Sequence, residues 1–169
     1  MSHSSRLIVA CCALLALPAA AQTVSTRLES FQEVPSISSS ASGHFRAFID
    51  DQAGTISYEL TYEGLSSDVR QSHIHFGQHS VNGAISVFLC QTATNVDPTG
   101  LAPQCPQSGT VTGLLQAANM AAGTTAQGIA PGEFAELLAA IRAGVAYVNV
   151  HSATFPGGEI RGQLRDPSR

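Results

Sequence analysis

The chain has 169 residues, about one domain's worth, and its 12% charged and 44% hydrophobic content excludes a long disordered polyelectrolyte. Fifteen glycines, eight prolines and no tryptophan point to many turns and short strands, not a helical bundle. All eight basic residues are arginines, set against twelve acids for a net charge of −4, which leaves no cationic footprint for nucleic acid or an anionic membrane.

The N-terminal residues read as a secretory signal peptide. Arg6 supplies the positive charge, Leu7 to Leu17 is apolar, and Pro18-Ala19-Ala20-Ala21 offers small residues for cleavage. The run is too short for a stable membrane span. Cleavage after Ala21 leaves one domain, residues 22–169, with seven arginines against twelve acids, or −5, and no membrane span. Ile8-Val9-Ala10-Cys11 has the outline of a lipidation box, but most of the apolar segment follows Cys11 instead of preceding it.

The strand signals then follow one another. Gly43 to Ile49 alternates loosely, and Thr55 to Tyr62 alternates cleanly, with Ile56, Tyr58, Leu60 and Tyr62 on one face. Asp50-Asp51-Gln52-Ala53-Gly54 is a turn that can join the two as a hairpin. Further strands are expected at Ser72 to Phe76, Ala84 to Gln91, Gly109 to Leu114, Ala146 to His151 and Glu159 to Leu164. Phe155-Pro156-Gly157-Gly158 provides the last turn. Residues 113–128 fit either a loop or a short helix.

One helix interrupts the pattern near 132–143. Phe134, Leu137, Leu138 and Ile141 form a single apolar stripe, with Pro131 before it and Gly144 as its stop. The expected architecture is all-β, an antiparallel, Greek-key-like β-sandwich with this one short helix.

Loss of the signal peptide removes Cys11 and Cys12 and leaves Cys90 and Cys105. Two cysteines in an exported chain most simply form one disulfide. The segment between them, rich in Pro, Gly, Asn and Asp, reads as an irregular loop tolerant of substitution.

Chemistry, if present, lies in the histidines. In Ser72-His73-Ile74-His75-Phe76, alternation puts both imidazoles on one face, close enough to chelate one ion. His151 ends Tyr147-Val148-Asn149-Val150-His151 and shares its face with Tyr147 and Asn149. If the two strands are neighbours, His73, His75 and His151 form a metal site, with His79 as a fourth ligand from the following loop. Imidazole suits copper, zinc, nickel and iron. The bland alternative is a set of structural histidines that hydrogen-bond in or near the core. His44 reads as a surface residue, and Tyr58 and Tyr62 as packing residues. Glu33, Glu59, Glu63 and Glu159 read as solvated charges, with Glu159 and Arg161 placed to pair on one strand face. There is no GxSxG elbow, no phosphate-binding GxxxxGK[ST] and no GxGxxG.

These motifs together resemble the CHRD domain, the module named after repeats in chordin. The likeness runs from Glu33-Val34-Pro35 and Gly43 through Ile56 to Leu65, then His73-Ile74-His75-Phe76-Gly77 with Asn82-Gly83. Its most specific part is Ala143 to Ser152 running into Pro156-Gly157-Gly158-Glu159-Ile160-Arg161-Gly162-Gln163. The resemblance implies an extracytoplasmic β-sandwich, periplasmic or extracellular, and says little about biochemical role. A weaker, local similarity is to copper,zinc superoxide dismutases, which also have an HxH strand and a later Val-rich strand ending in His. That similarity implies copper ligation by His73, His75 and His151. The bridging histidine, the zinc loop and the superoxide-guiding arginine have no match here.

Two functional classes stay open. One is a non-enzymatic exported module that binds copper or zinc through clustered histidines. The other is a metal-free adhesion or interaction domain whose partner is another extracytoplasmic protein. A dismutase-like enzyme is a more distant third.

Overall fold

The computed structural model describes residues 22–165; the expected signal peptide, with Cys11 and Cys12, lies outside the described residues. Eight strands are present: β1 Gln22–Glu29, β2 Ser42–Asp50, β3 Thr55–Glu63, β4 Val69–Phe76, β5 Ala84–Cys90, β6 Gly109–Leu115, β7 Ala146–Ser152 and β8 Ile160–Gln163. They form one antiparallel sheet in the order β5-β4-β7-β8-β1-β2-β3-β6. The all-β architecture expected from the sequence is therefore present, as a single sheet that nearly closes on itself. The β8–β1 pairing within it is short: β1 meets β8 at Glu29 and Arg161, with a further bridge from Ser25 to Arg165.

The β2–β3 hairpin forms as its sequence predicts. Phe45, Ala47 and Ile49 face the core from β2, opposite Leu60, Tyr58 and Ile56 of β3. Asp50 Oδ1 accepts the Ala53 N–H at 2.9 Å, and Gly54 takes the positive φ of 64° that closes the turn. Strand β1 was not anticipated. Its Ser, Thr, Gln and Arg residues mask the alternation, and only Val24 and Leu28 are deeply buried.

The helix α1, Phe134–Arg142, buries the predicted stripe of Phe134, Leu137, Leu138 and Ile141. Gly144 N–H bonds to Ile141 O at 3.0 Å and Val145 N–H to Ala140 O at 3.0 Å, with Gly144 at φ 72°. This left-handed stop turns the chain directly into β7. The ambiguous stretch resolves into β6 followed by two 3-10 turns, Ala117–Asn119 and Ala122–Gln127.

The two edge strands are tied together. Cys90, ending β5, is disulfide-bonded to Cys105, on the segment leading into β6. The Tyr58 hydroxyl of β3 donates to Leu89 O, and that of Tyr62 to Pro106 O. The irregular loop within the disulfide is organised by buried Asp97, which accepts from Thr99 N–H and Oγ1–H and from the Leu101 and Ala102 N–H groups. Substitution of Asp97 is therefore expected to cost stability even if the rest of the loop tolerates change. Opening the disulfide releases a constraint across 15 residues and is expected to lower stability by on the order of 3 kcal/mol. Urea unfolding with and without reductant measures this; coincident curves would show that the tyrosine contacts alone hold the edges.

Strand β7 has two buried faces. All seven of its residues are buried, although only alternate ones can face the core. Val148 and Val150 point to the core. The opposite face, carrying Tyr147, Asn149 and His151, lies under a second cover of loops. Among these are the segment around Glu33 and Val34, the loop Gln78 to Gly83 and the turn Phe155 to Gly158. Asn82 Nδ2 donates to Val34 O at 2.9 Å and so joins two of these segments.

A buried three-histidine centre

Strands β4 and β7 are direct neighbours, with His73 opposite Asn149, His75 opposite Tyr147 and Gln71 opposite His151. Residues in register share a face, so His73, His75, Asn149 and His151 project together on the side away from Ile74 and Val148. One nitrogen from each of His73, His75 and His151 lies within 4.8 Å of the others, a spacing suited to a shared metal ion. His73 Nδ1 and His151 Nε2 are 3.1 Å apart. The three residues are 0%, 7% and 5% exposed, respectively, which closes the centre to a bulky substrate.

Backbone carbonyls orient two of the rings. His75 Nδ1 lies 2.9 Å from Gly83 O, and His151 Nδ1 lies 3.0 Å from Pro156 O. A carbonyl can only accept, so each Nδ1 carries the proton and each Nε2 keeps its lone pair. Metal-binding histidines are commonly held this way, by the nitrogen that does not bind. The Nε2 atoms of His73 and His75 are buried without a hydrogen-bond partner. Uncompensated buried polar nitrogens are costly and call for an explanation.

Burial also fixes the charge state. It is the main cause holding His75 and His151 down at about 4, and it takes His73 well below its usual 6.5, helped by the neighbouring imidazoles. At neutral pH all three rings are uncharged, the form that binds metal.

A polar layer surrounds the rings, and its charges are not the solvated ones expected from residue type. Glu33 and Glu159 are 5% and 0% exposed. Burial pushes the Glu33 carboxyl up to about 7, against the opposing influence of Arg161, the Val34 N–H and the Asn149 amide. Glu159 and Arg161 do not pair. Glu159 Oε1 accepts from Ser39 and Ser66, whereas Arg161 donates to Gln78 O at 3.0 Å, Val81 O at 2.9 Å and Asn82 Oδ1 at 3.3 Å. The Arg161 guanidinium also sits 3.4 Å over the Tyr147 ring, whose other stacking partner is His75 at 4.7 Å. Arg161 thereby supports His75 twice, through this stack and through the loop that carries Gly83. Gly158, at φ 128°, is required beside them, because a Cβ there would collide with Glu33 Oε1 and come within 2.8 Å of Asn149 Nδ2.

Of the four histidines expected at the centre, three converge and one does not. His79 is exposed, with its Nδ1 2.8 Å from Ser80 Oγ. Strand β4 ends at Phe76, and the loop beyond Gly77 carries His79 outward. His44 is exposed, as expected, and lines an open cavity of about 420 Å³ with Arg27 and Tyr62. Sequence reasoning gave Glu33 only a solvated charge, Arg161 only a pairing with Glu159, and Gly83 no role; the motif around Glu33-Val34-Pro35 marked the segment but not its burial.

Fold and site together define an all-β domain with a disulfide-tied edge and a buried histidine cluster on one strand pair. No helix among the described residues is long and apolar enough to cross a membrane. The CHRD domain family matches residues 24–164, and the chain belongs to that family. No curated protein and no solved structure matches it, so the local likeness to superoxide dismutase gains no support from these comparisons.

Proposed function

We propose that this CHRD domain is an exported, non-enzymatic metal-binding module that holds copper or zinc through His73, His75 and His151. The observation that carries the reading is the convergence of three neutral, buried imidazoles, two with unpartnered Nε2 atoms. Three uncharged nitrogen donors suit Cu(II) or Zn(II) and disfavour hard ions such as calcium. Two ligands on β4 and one on β7 place the set on rigid, paired backbone. A signal peptide at residues 1–21 and the Cys90–Cys105 disulfide agree with a periplasmic or extracellular setting.

Elemental analysis of protein purified from its native compartment tests the reading. About one equivalent of copper or zinc is expected in the wild type and in His44→Ala, and almost none in His73→Ala. Equal metal content in wild type and His73→Ala would contradict it.

A further inference from the structure

The amide oxygen of Asn149 stands beside the imidazole cluster, and its neighbour there, His151 Nε2, has no proton to give it. Asn149 Oδ1 lies 2.9 Å from His151 Nε2. His151 already gives its Nδ1 proton to Pro156 O, so Nε2 faces Oδ1 lone pair to lone pair. A proton on His73 Nδ1 can serve His151 Nε2, 3.1 Å away, but does nothing for the amide oxygen. Turning the amide over does not resolve the conflict while Glu33 is ionised, above about pH 7. Its nitrogen faces the buried Glu33 carboxylate, which reversal would confront with the amide oxygen. Lone pairs of an amide oxygen and an imidazole nitrogen thus meet at a buried point where a shared cation would relieve their repulsion.

Building on the three-histidine reading above, we propose that Asn149 Oδ1 is a fourth metal donor, giving an N3O set that selects a divalent ion over Cu(I). The reasoning for selectivity is chemical. An amide oxygen is a hard donor that binds divalent cations well, whereas Cu(I) prefers soft sulfur and gains little from it. Glu33, on the far side of the amide, keeps the oxygen aimed inward and, when ionised, places negative charge near the ion.

Competition titrations with Zn(II) and Cu(I) on wild type and Asn149→Ala test the donor role. Zn(II) affinity is expected to fall about 10–100-fold in the variant, with Cu(I) affinity unchanged. Equal losses for the two ions would reduce Asn149 to a positioning residue, and unchanged Zn(II) affinity would remove it from the site; either result overturns the proposal while leaving the three-histidine reading intact. Wild type that takes up Cu(I) but no Zn(II) would overturn this proposal alone, and wild type that takes up neither ion would overturn both. A crystal structure of the Zn(II)-loaded wild type gives a readout independent of the variant's folding. A metal–Oδ1 distance of about 2.0–2.2 Å supports the fourth donor, and one beyond about 3 Å rules it out.

Discussion

Arg161→Leu is expected to lower the free energy of unfolding by about 3–5 kcal/mol, a loss typical of breaking a buried charged network from one side. The side chain is 2% exposed, and its guanidinium satisfies Gln78 O, Val81 O and Asn82 Oδ1 while covering the Tyr147 ring. Leucine fills part of the volume but supplies no donor, so two backbone carbonyls of the covering loop lose their partner. It also removes the cation beside Glu33, which pushes that carboxyl further toward its neutral form. Arg161→Lys should rescue little, because a single ammonium cannot span three acceptors and stack on the tyrosine. Urea unfolding measures the loss; a change below about 1 kcal/mol would mean that the loop is anchored by other contacts. Metal affinity should fall in the same variant, because the loop positions Gly83 O, and through it His75.

The metal-free protein is expected to lose stability on acidification from about pH 6.5 toward pH 4. His75 and His151 are held at about 4 in the folded state against 6.5 when unfolded. Between those values the unfolded chain binds protons that the folded chain refuses, so stability falls as pH falls. Each of these two rings costs on the order of 3 kcal/mol by pH 4, and His73 adds to the same direction. Glu33 acts oppositely. Its pKa is raised from 4.5 to about 7, so its contribution is fully present below 4.5 and is lost as pH rises through 7. On acidification it restores on the order of 3 kcal/mol, offsetting about one histidine. Two rings or more remain uncompensated, and the net effect is destabilising. Thermal melts at pH 7 and pH 4.5 measure it. Greater stability at pH 4.5 would show that the imidazoles charge freely in the folded protein.

Both effects concern groups whose surroundings the sequence shows unevenly. His73-Ile74-His75 and Val148-Asn149-Val150-His151 reveal by alternation alone which side chains share a face, because a strand's period of two is local. That β4 lies beside β7 is a pairing across more than 70 residues, and no local pattern encodes it. Glu33 read as solvated because free glutamates usually are, yet loops distant in the chain bury it. His79 failed for the reverse reason. Its closeness to His75 in sequence counted for little once the chain left the strand at Gly77. Strand β1 escaped notice because Thr26, between Val24 and Leu28 on the same face, is polar and hides the period-two signal.

Isothermal titration of the metal-free wild type and its His75→Ala variant with Zn(II) tests the central claim most directly. The buried centre predicts one tight site in the wild type and a loss of about 100-fold or more in affinity when the His75 ligand is removed. Identical affinities for the two proteins would contradict it and leave His73, His75 and His151 as packed structural residues.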